Sequence, residues 1–574
     1  MKKCLWFVKM RNIILVHCIS TGLNFIGDII NRGYTPIVLE MQFSHNEVGE
    51  EYIKHIHEGY QRVPYDFDII YEKDSYEETL ESVKKYDPIL VLPASEKGVV
   101  LATQLANDLD LLSNPIENIG AMTLKDKMQE RIAEHGLRSI KGKVVSSLEE
   151  AIEFYDSEDL KEVVIKPTYS SGSASVRMCL NKEEMIDTIK LLFDDVNRFG
   201  DEIESLLIQE RINGTEYIVN TVSHNGIHRV TLVWKYNKVK TSEGAIVYDS
   251  CETVNELSLG EAEMVEYAYS VVDAMGIQYG PVHGEYMIDE KGPVLIEVNC
   301  RPMGGNMPAE FLDRISGQHE TDSILDSYLK PERFFEELKK KYELYAHGTL
   351  KFFIVPKNMI ARSSPMASIS KKLNAYHCTS LSISNFGEMF FEKTKDVSTS
   401  GGTVFLVHED LSVLEKNLNF LRIVEKNTFS LILSEDTFNP IIKDDQTYIN
   451  DIRPLVEMSE KYGTSLFVTD QFVEGIDLLQ VNSEQVNDVS GKFETIIINL
   501  NKSLIDKNAD ERVKLILDIF SKLRTGGIIL IPENTYQLSI SGRKGMEALL
   551  KVLDYKIELP PYDIKNIIIA SKKY

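Results

Sequence analysis

The sequence is poor in the residues that build cross-links and metal cages. Six cysteines are spread over 574 residues with no CxxC pair, which excludes a disulfide framework and a zinc knuckle. No stretch approaches the ~18–20 consecutive apolar residues of a membrane span. Lys9, Arg11 and Asn12 interrupt the apolar N-terminal stretch MKKCLWFVKMRNIILVHC, and no small-residue cleavage site follows. That stretch therefore reads as a first buried strand rather than a signal peptide, and the protein as cytoplasmic. Basic residues are in deficit: 63 Lys and Arg face 88 Asp and Glu, a formal charge of −25. Such a surface repels nucleic-acid backbones and anionic membranes, yet leaves room for a small anion in a locally basic pocket. Internal repeats and low-complexity tracts are absent. The first turn, Ser20-Thr21-Gly22, lacks GxGxxG, so a dinucleotide site is not supported.

What remains is an ordinary globular composition, 43% apolar and 26% charged, long enough for three or four packed units. Residues 1–115 alternate strands (NIILVHC, TPIVLEM, PILVLPAS) with helices (YEETLESVKKY, EKGVVLATQLANDLDLL), predicting a parallel, doubly wound α/β sheet. Residues 116–345 mix helices with antiparallel-type strands and hairpin signals such as SHNGIHR, an α+β pattern. Residues 346–433 add short strands that would complete that unit. Residues 434–574 resume α/β alternation and predict a separate C-terminal domain.

Three segments carry chemistry. In VVIKPTYSSGSASVRM an apolar strand ends at Lys166, and Ser170, Ser171, Gly172 and Ser173 follow. Small residues with free N–H groups can close over phosphates while the lysine supplies a point charge; the same pattern also suits a flexible surface hairpin. In LLIQERINGTEYIV a strand delivers Gln209 and Glu210, and Glu216 opens the next strand. The link between them can hydrogen-bond a purine edge and Glu216 can take ribose hydroxyls, or both acids are simply surface charge. In HGEYMIDEKGPVLIEVNCRPMGG two strands flank the turn Asp289–Gly292. Glu297, Asn299 and Arg301 alternate along the second strand and so share a face. Antiparallel pairing can bring Glu285 against them. Two carboxylates and an amide oxygen are hard ligands suited to Mg²⁺ bridging a triphosphate, and Arg301 can hold an anionic reaction centre. Cys300 falls at the intervening position and reads as packing. His283 and Glu285 form H-x-E, but no further His or Cys lies at zinc-ligand spacing.

In this order the segments resemble the ATP-grasp superfamily of carboxylate–amine ligases, in the branch of bacterial L-amino-acid ligases, over about residues 10–433. The resemblance implies an N-terminal Rossmann-like pre-ATP-grasp domain and a two-lobed ATP-grasp domain. It implies that Lys127, in LKDKMQERIAEHGL, and Lys166 bind ATP phosphates and the adenine side. It implies that Ser170–Ser175 cover the phosphates, that Gln209 and Glu210 with the following backbone form the adenine hinge, and that Glu216 binds ribose. Glu285, Glu297 and Asn299 would hold Mg²⁺, for which Mn²⁺ can substitute. Arg301 would lie at the acyl phosphate, and Gly304-Gly305 would turn into a helix near the substrate. The implied reaction joins a small carboxylate and an amine through an acyl phosphate, releasing ADP and phosphate. An ATP-grasp carboxylase acting on bicarbonate lacks its Met-Lys-Met biotin segment here.

The C-terminal segments KFETIIINLNKSL, LILDIFSKLRTGGIILIPE and DYKIELPPYDIKNIIIASKKY resemble the back half of a class I methyltransferase fold. The front half lacks the expected glycine-rich turn: SLILSEDTFNP and SLFVTDQFVEG contain no GxG. A degenerate domain serving docking, homodimerisation or substrate delivery is expected. Two further readings stand beside the ligase: a methyltransferase using S-adenosylmethionine fused to an ATP-binding domain, and a non-catalytic nucleotide-binding scaffold.

Overall fold

The computed structural model describes residues 11–43, 47–168, 176–193, 203–240, 246–356, 359–361, 369–381, 389–391, 393–395, 397, 399–432, 464–469, 478–500, 509–532, 550, 555–558 and 567–572. The chain divides into two compact units, one of Met1–Lys238 with Cys251–Gly348 and the other of Val239–Ser250 with Thr349–Tyr574.

The first unit begins with β1 (Asn12–Val16), α1 (Asn24–Asn31), β2 (Thr35–Glu40), α2 (Glu47–Gln61), β3 (Asp68–Tyr71), α3 (Tyr76–Lys84), β4 (Pro88–Pro93) and α4 (Val99–Asp108). The strands pair in parallel in the order β3-β2-β1-β4. Parallel neighbours need a crossover, and the intervening helices supply it. Ile13, Ile14, Leu15 and Val16 are fully buried, which is why β1 reads as a continuous apolar run rather than an alternating one. Ser75 caps α3 by accepting from the Glu78 N–H at 3.2 Å. Two glycines let the turns after β1 and β4 approach closely. A Cβ on Gly22 would stand 2.2 Å from the Ala94 carbonyl oxygen, and one on Gly98 would stand 2.4 Å from that of Val16.

Next come α5 (Ile119–Thr123), α6 (Lys125–Glu134), β5 (Gly142–Val145), α7 (Leu148–Ser157), β6 (Val163–Pro167), β7 (Arg177–Cys179), α8 (Lys182–Phe193) and β8 (Leu206–Glu210). The four strands form an antiparallel sheet in the order β5-β8-β6-β7. Val163, Ile165, Leu206 and Ile208 pack on one side of it against Ala151 of α7 and Met185 and Ile189 of α8.

The chain continues through β9 (Thr215–His224), β10 (Ile227–Lys240), β11 (Ile246–Thr253), α9 (Leu259–Ala274), β12 (Gly280–Asp289) and β13 (Gly292–Asn299). Strands β13, β12, β9 and β10 are successive antiparallel neighbours. The β9–β10 turn holds Asn225 at φ 50° and Gly226 at φ 73°, the two left-handed residues that a tight two-residue hairpin turn demands. Ser258 and Glu261 form a reciprocal capping box on α9. The helices α10 (Ala309–Ser316), α11 (Glu320–Leu329) and α12 (Pro331–Leu338) complete this unit. The turn after β1 and the start of α1 fix the loop after β13 to the first sheet. The Thr21 hydroxyl accepts from the Met307 N–H at 3.0 Å, Ser20 Oγ accepts from Asn306 N–H at 3.0 Å, and Asn24 Nδ2 donates to the Met307 carbonyl at 2.9 Å. The Ser20-Thr21-Gly22 turn therefore seats the loop that follows the polar strand.

In the second unit the strands Gly402–His408 and Tyr376–Leu381 pair antiparallel. A six-stranded sheet runs in the order 479–481, 465–469, 493–499, 523–532, 567–572, 555–558. Its first four strands are parallel, and 567–572 is inserted antiparallel between 523–532 and 555–558. Lys351 is fully buried, with Nζ 3.1 Å from Asp249 Oδ1 and 2.9 Å from Glu425 Oε2. Of the two segments read as candidate cofactor turns, 433–440 and 470–475 lie outside the described residues.

Candidate active site

The β12–β13 hairpin sets the geometry. Its pairing register places Glu285 directly opposite Glu297 and His283 opposite Asn299. Arg138 anchors the hairpin turn, donating to both carboxylate oxygens of Asp289 at 2.7 and 2.6 Å and to the Gly292 carbonyl at 2.7 Å. The alternation read in the sequence thus yields one face carrying Glu285, Glu297 and Asn299. Cys300 is buried on the apolar side with Val298 and Leu295.

Charges converge on this face from three other elements. Lys166, on β6, is buried. Burial pushes its ammonium down to about 8, against the pull of Glu297 and with the help of neighbouring Lys125. Lys125, the first residue of α6, ion-pairs with Glu297 at 3.2 Å. Burial disfavours its charge, but Glu297 and Glu96 overcome this and hold it above the ordinary lysine range. Arg301 Nε lies 3.2 Å from Oε2 of Glu96, which follows β4, and Arg301 Nη1 donates to the Pro302 carbonyl at 3.0 Å. Burial raises Glu96 despite Arg301 and Lys125.

The two facing acids titrate apart. Burial, then the charge of Glu297, raises Glu285. Burial acts on Glu297 too, but Lys125 and Lys166 outweigh it and hold that carboxylate low. Like charges facing each other disfavour joint ionisation, so Glu285 takes up its charge less readily than Glu297. His283 shares the arrangement. Its Nδ1 meets Asn220 Oδ1 at 2.9 Å, and its Nε2 lies 3.4 Å from Glu285 Oε1. Burial, reinforced by Arg301, keeps this imidazole neutral. Asn299 Nδ2 donates to the His283 carbonyl at 3.3 Å and to Glu297 Oε1 at 3.4 Å.

The remaining sequence-derived residues fall as follows. Lys127 is 49% exposed and pairs with Glu130 at 2.8 Å, away from the hairpin acids. It lines a cleft of about 470 Å³ together with Gln209, Lys141 and Lys143. Gln209 is buried in β8, and among the described residues its Nε2 has no hydrogen-bond partner. Glu210 accepts from the Lys141 N–H at 3.0 Å through its side chain. Glu216 is buried and pairs with Lys238 at 2.6 Å. Gly304 and Gly305 lie in the loop before α10, Gly305 with φ 89°. Ser170, Ser171, Gly172 and Ser173 lie outside the described residues. Sequence reasoning missed Lys125, Glu96 and Glu320, the last of which accepts from the Met303 N–H with both oxygens at 3.1 and 3.0 Å. Lys125 sits two residues before the lysine that the motif singled out. Nothing in the sequence distinguishes the two except their places at the start of α6.

The donor set suits a cation shared with a polyanion. Among the described residues no cluster of three or more His, Cys, Asp or Glu forms a metal cage. Two carboxylates and an amide leave coordination sites open, as Mg²⁺ bound jointly with phosphates requires. The buried lysines, the arginine and the unpaired Gln209 amide fit an anion that also carries hydrogen-bond acceptors.

The family described as an ATP-grasp domain matches residues 160–310, a span that contains Lys166, Gln209, Glu210, Glu216 and the whole hairpin. Dapdiamide A synthase of Enterobacter agglomerans is 25% identical over 368 residues, covering 63% of this chain and 84% of that protein. The carbamoyl phosphate synthase large chain of Thermotoga neapolitana is 25% identical over 236 residues, 38% of this chain but only 21% of that protein. Among solved structures, the L-amino acid ligase from Bacillus licheniformis aligns with a TM-score of 0.54 at 15% identity, covering 72% of this chain and 97% of that one. A carboxyaminoimidazole ribonucleotide synthase from Aspergillus clavatus complexed with ATP aligns with a TM-score of 0.52 at 12% identity, covering 73% and 98%. At these identities the structural likeness establishes the shared fold.

Proposed function

We propose, from the ATP-grasp domain at residues 160–310, that this chain is an ATP-dependent carboxylate–amine ligase. Its reaction joins an amino acid or similar small acid to an amine. The carboxylate attacks the γ-phosphate of ATP, giving an acyl phosphate and ADP, and the amine then displaces phosphate. The observation that carries the reading is the register of Glu285 against Glu297 beneath Lys166, Lys125 and Arg301. Such a set offers both hard oxygen ligands and fixed positive charge at one place. Mg²⁺ held there would supply charge neutralisation for the triphosphate.

The chain's own residues do the rest by position and electrostatics. Glu285, Glu297 and Asn299 would hold the cation. Lys166, kept poorly solvated, interacts strongly with phosphate oxygens because little water competes. Arg301, braced by Glu96, faces the anionic acyl phosphate and the tetrahedral intermediate. Lys127 and Gln209, in their shared cleft, hold the nucleotide's adenine end with the Glu210 hinge, and Glu216 exchanges Lys238 for ribose hydroxyls. Ser170–Ser175, by the resemblance, would cover the phosphates.

Around this centre we assign residues 1–115 to a Rossmann-like pre-ATP-grasp domain, supported by the parallel order β3-β2-β1-β4. Residues 116–345 are the nucleotide-binding lobes and 346–433 their completing lobe. Residues 434–574 are a degenerate methyltransferase-like domain. The inserted antiparallel strand 567–572 supports that assignment, and the missing glycine turn argues against retained cofactor binding. The test is release of ADP and phosphate across a matrix of amino acids, with mass spectrometry of the products. An amide product with stoichiometric ADP supports the reading; ATP turnover with no product under any pairing opposes it.

A further inference from the structure

The strand order β3-β2-β1-β4 reverses direction at β1, because the chain winds outward to β3 and then returns to β4 on the opposite side. In open parallel sheets, ligands bind beyond the carboxyl ends of the strands at such a reversal. The polar groups at this edge are unusual. His17, immediately after β1, is buried and takes φ 54°, a left-handed conformation uncommon for any residue but glycine. Its Nδ1 meets the Ser95 hydroxyl, and that hydroxyl also donates to the His17 carbonyl at 2.7 Å. A hydroxyl has one proton, so Ser95 accepts at Nδ1 and the ring proton sits there. Nε2 is then left as a bare acceptor. Burial, with the charge of Lys97, drives the ring down to about 3, so it stays neutral.

β2 pairs beside β1, and α2 reaches the same end of the sheet through Tyr52, whose ring centroid lies 6.0 Å from that of His17. Glu40 ends β2 and is buried; its Oε1 pairs with His57 at 2.9 Å. Tyr60, on α2, is buried, and burial, then the neighbouring Cys18 and Glu40, pushes its hydroxyl up. Among the described residues, His17 Nε2, Glu40 Oε2 and the Tyr60 hydroxyl all lack a hydrogen-bond partner. An orphaned buried polar atom is costly, and three at one end of a sheet are not explained by packing. The edge also adjoins the reaction centre: Ser95 precedes Glu96, the residue that braces Arg301.

We infer that this edge is the selectivity subsite for one of the two small substrates, receiving a side group that carries N–H donors. His17 Nε2 and Glu40 Oε2 accept from that group, and the Tyr60 hydroxyl completes its shell. A carboxamide and a primary ammonium share this donor chemistry. The inference rests on the ligase reading for the identity of its occupant, but its test does not need turnover.

Calorimetry of the full chain with three amino acids of similar size decides it: asparagine, 2,4-diaminobutyrate and leucine. At least one donor-bearing amino acid binds tenfold or more tightly than leucine, and which one does so identifies the group as carboxamide or ammonium. His17→Phe and Glu40→Gln erase that preference. Tyr60→Phe, which removes only a hydroxyl and guards against misfolding of the other two, reduces it by about threefold. ATP affinity stays unchanged in all three. Equal binding of the three amino acids, no binding of any, or a preference that survives all three substitutions overturns the subsite. Failure to form ADP with any substrate pair counts against the ligase reading instead.

Discussion

Lys125 Nζ lies 3.2 Å from Glu297 Oε2, so the lysine that neutralises the central hairpin acid comes from the start of α6. Lys127, two residues on, faces Glu130 instead. The two lysines should therefore behave oppositely. Lys125→Met leaves Glu297 and Glu96 short of a buried counter-charge and should cost up to roughly 3–5 kcal/mol, with turnover lost. Lys127→Met should change stability by less than about 0.5 kcal/mol and raise the KM for ATP. Urea midpoints and steady-state kinetics on both variants check this contrast.

Glu297→Gln keeps the shape of the side chain and removes its charge. We expect ADP formation to stop while the protein stays folded, since Lys125 and Asn299 can still hydrogen-bond the amide oxygen. Circular dichroism together with an ADP assay reads both halves. Ordinary turnover in this variant would refute the cation-binding role.

His319 links α1 to the later helices, with Nε2 2.9 Å from Asp28 Oδ2 and Nδ1 2.8 Å from Asp313 Oδ1. Burial lowers the ring's affinity for a proton, but the two aspartates prevail and raise it to about 9. The folded value exceeds the unfolded one, so this contribution is fully present below pH 6.5 and is lost as pH rises through 9. Its size is of order a few kcal/mol. Glu320, raised to about 7 by burial, weakens the fold over an earlier window, from the ordinary carboxylate range up to pH 7. Urea titrations at pH 7 to 10 should show stability falling, and His319→Gln should flatten that fall.

Gly22→Ala sets a methyl group 2.2 Å from the Ala94 carbonyl oxygen, against backbone that cannot rotate aside. A cost of about 1–3 kcal/mol or more is expected, read as a lowered melting temperature. Because the adjoining Thr21 seats the loop after β13, turnover should fall as well.

Much of this was legible in the sequence because it rests on local chain chemistry. Period-two alternation put Glu297 and Asn299 on one face, and Cys300 fell on the apolar side. The Asp289–Gly292 turn paired the two strands, but a one-residue register shift between Glu285 and Tyr286, which the sequence does not announce, is what brings Glu285 opposite Glu297. The unbroken run in β1 signalled a strand buried on both faces. Contacts between distant segments were not legible. Glu96 meets Arg301 across about two hundred residues, and its sequence context, SEKG, looks like a solvated helix start. Lys125 and Lys127 differ only by the rotation of one helix, which the motif does not specify. The Ser20-Thr21-Gly22 turn was set aside for lacking a dinucleotide signature, and the structure gives it another role, as the seat for residues 304–307.

The most direct test follows one oxygen atom. With the carboxylate substrate labelled with ¹⁸O, activation through an acyl phosphate transfers one labelled oxygen to inorganic phosphate for each amide formed, alongside ADP. Phosphate carrying no label, or label appearing in AMP with release of pyrophosphate, would contradict the account.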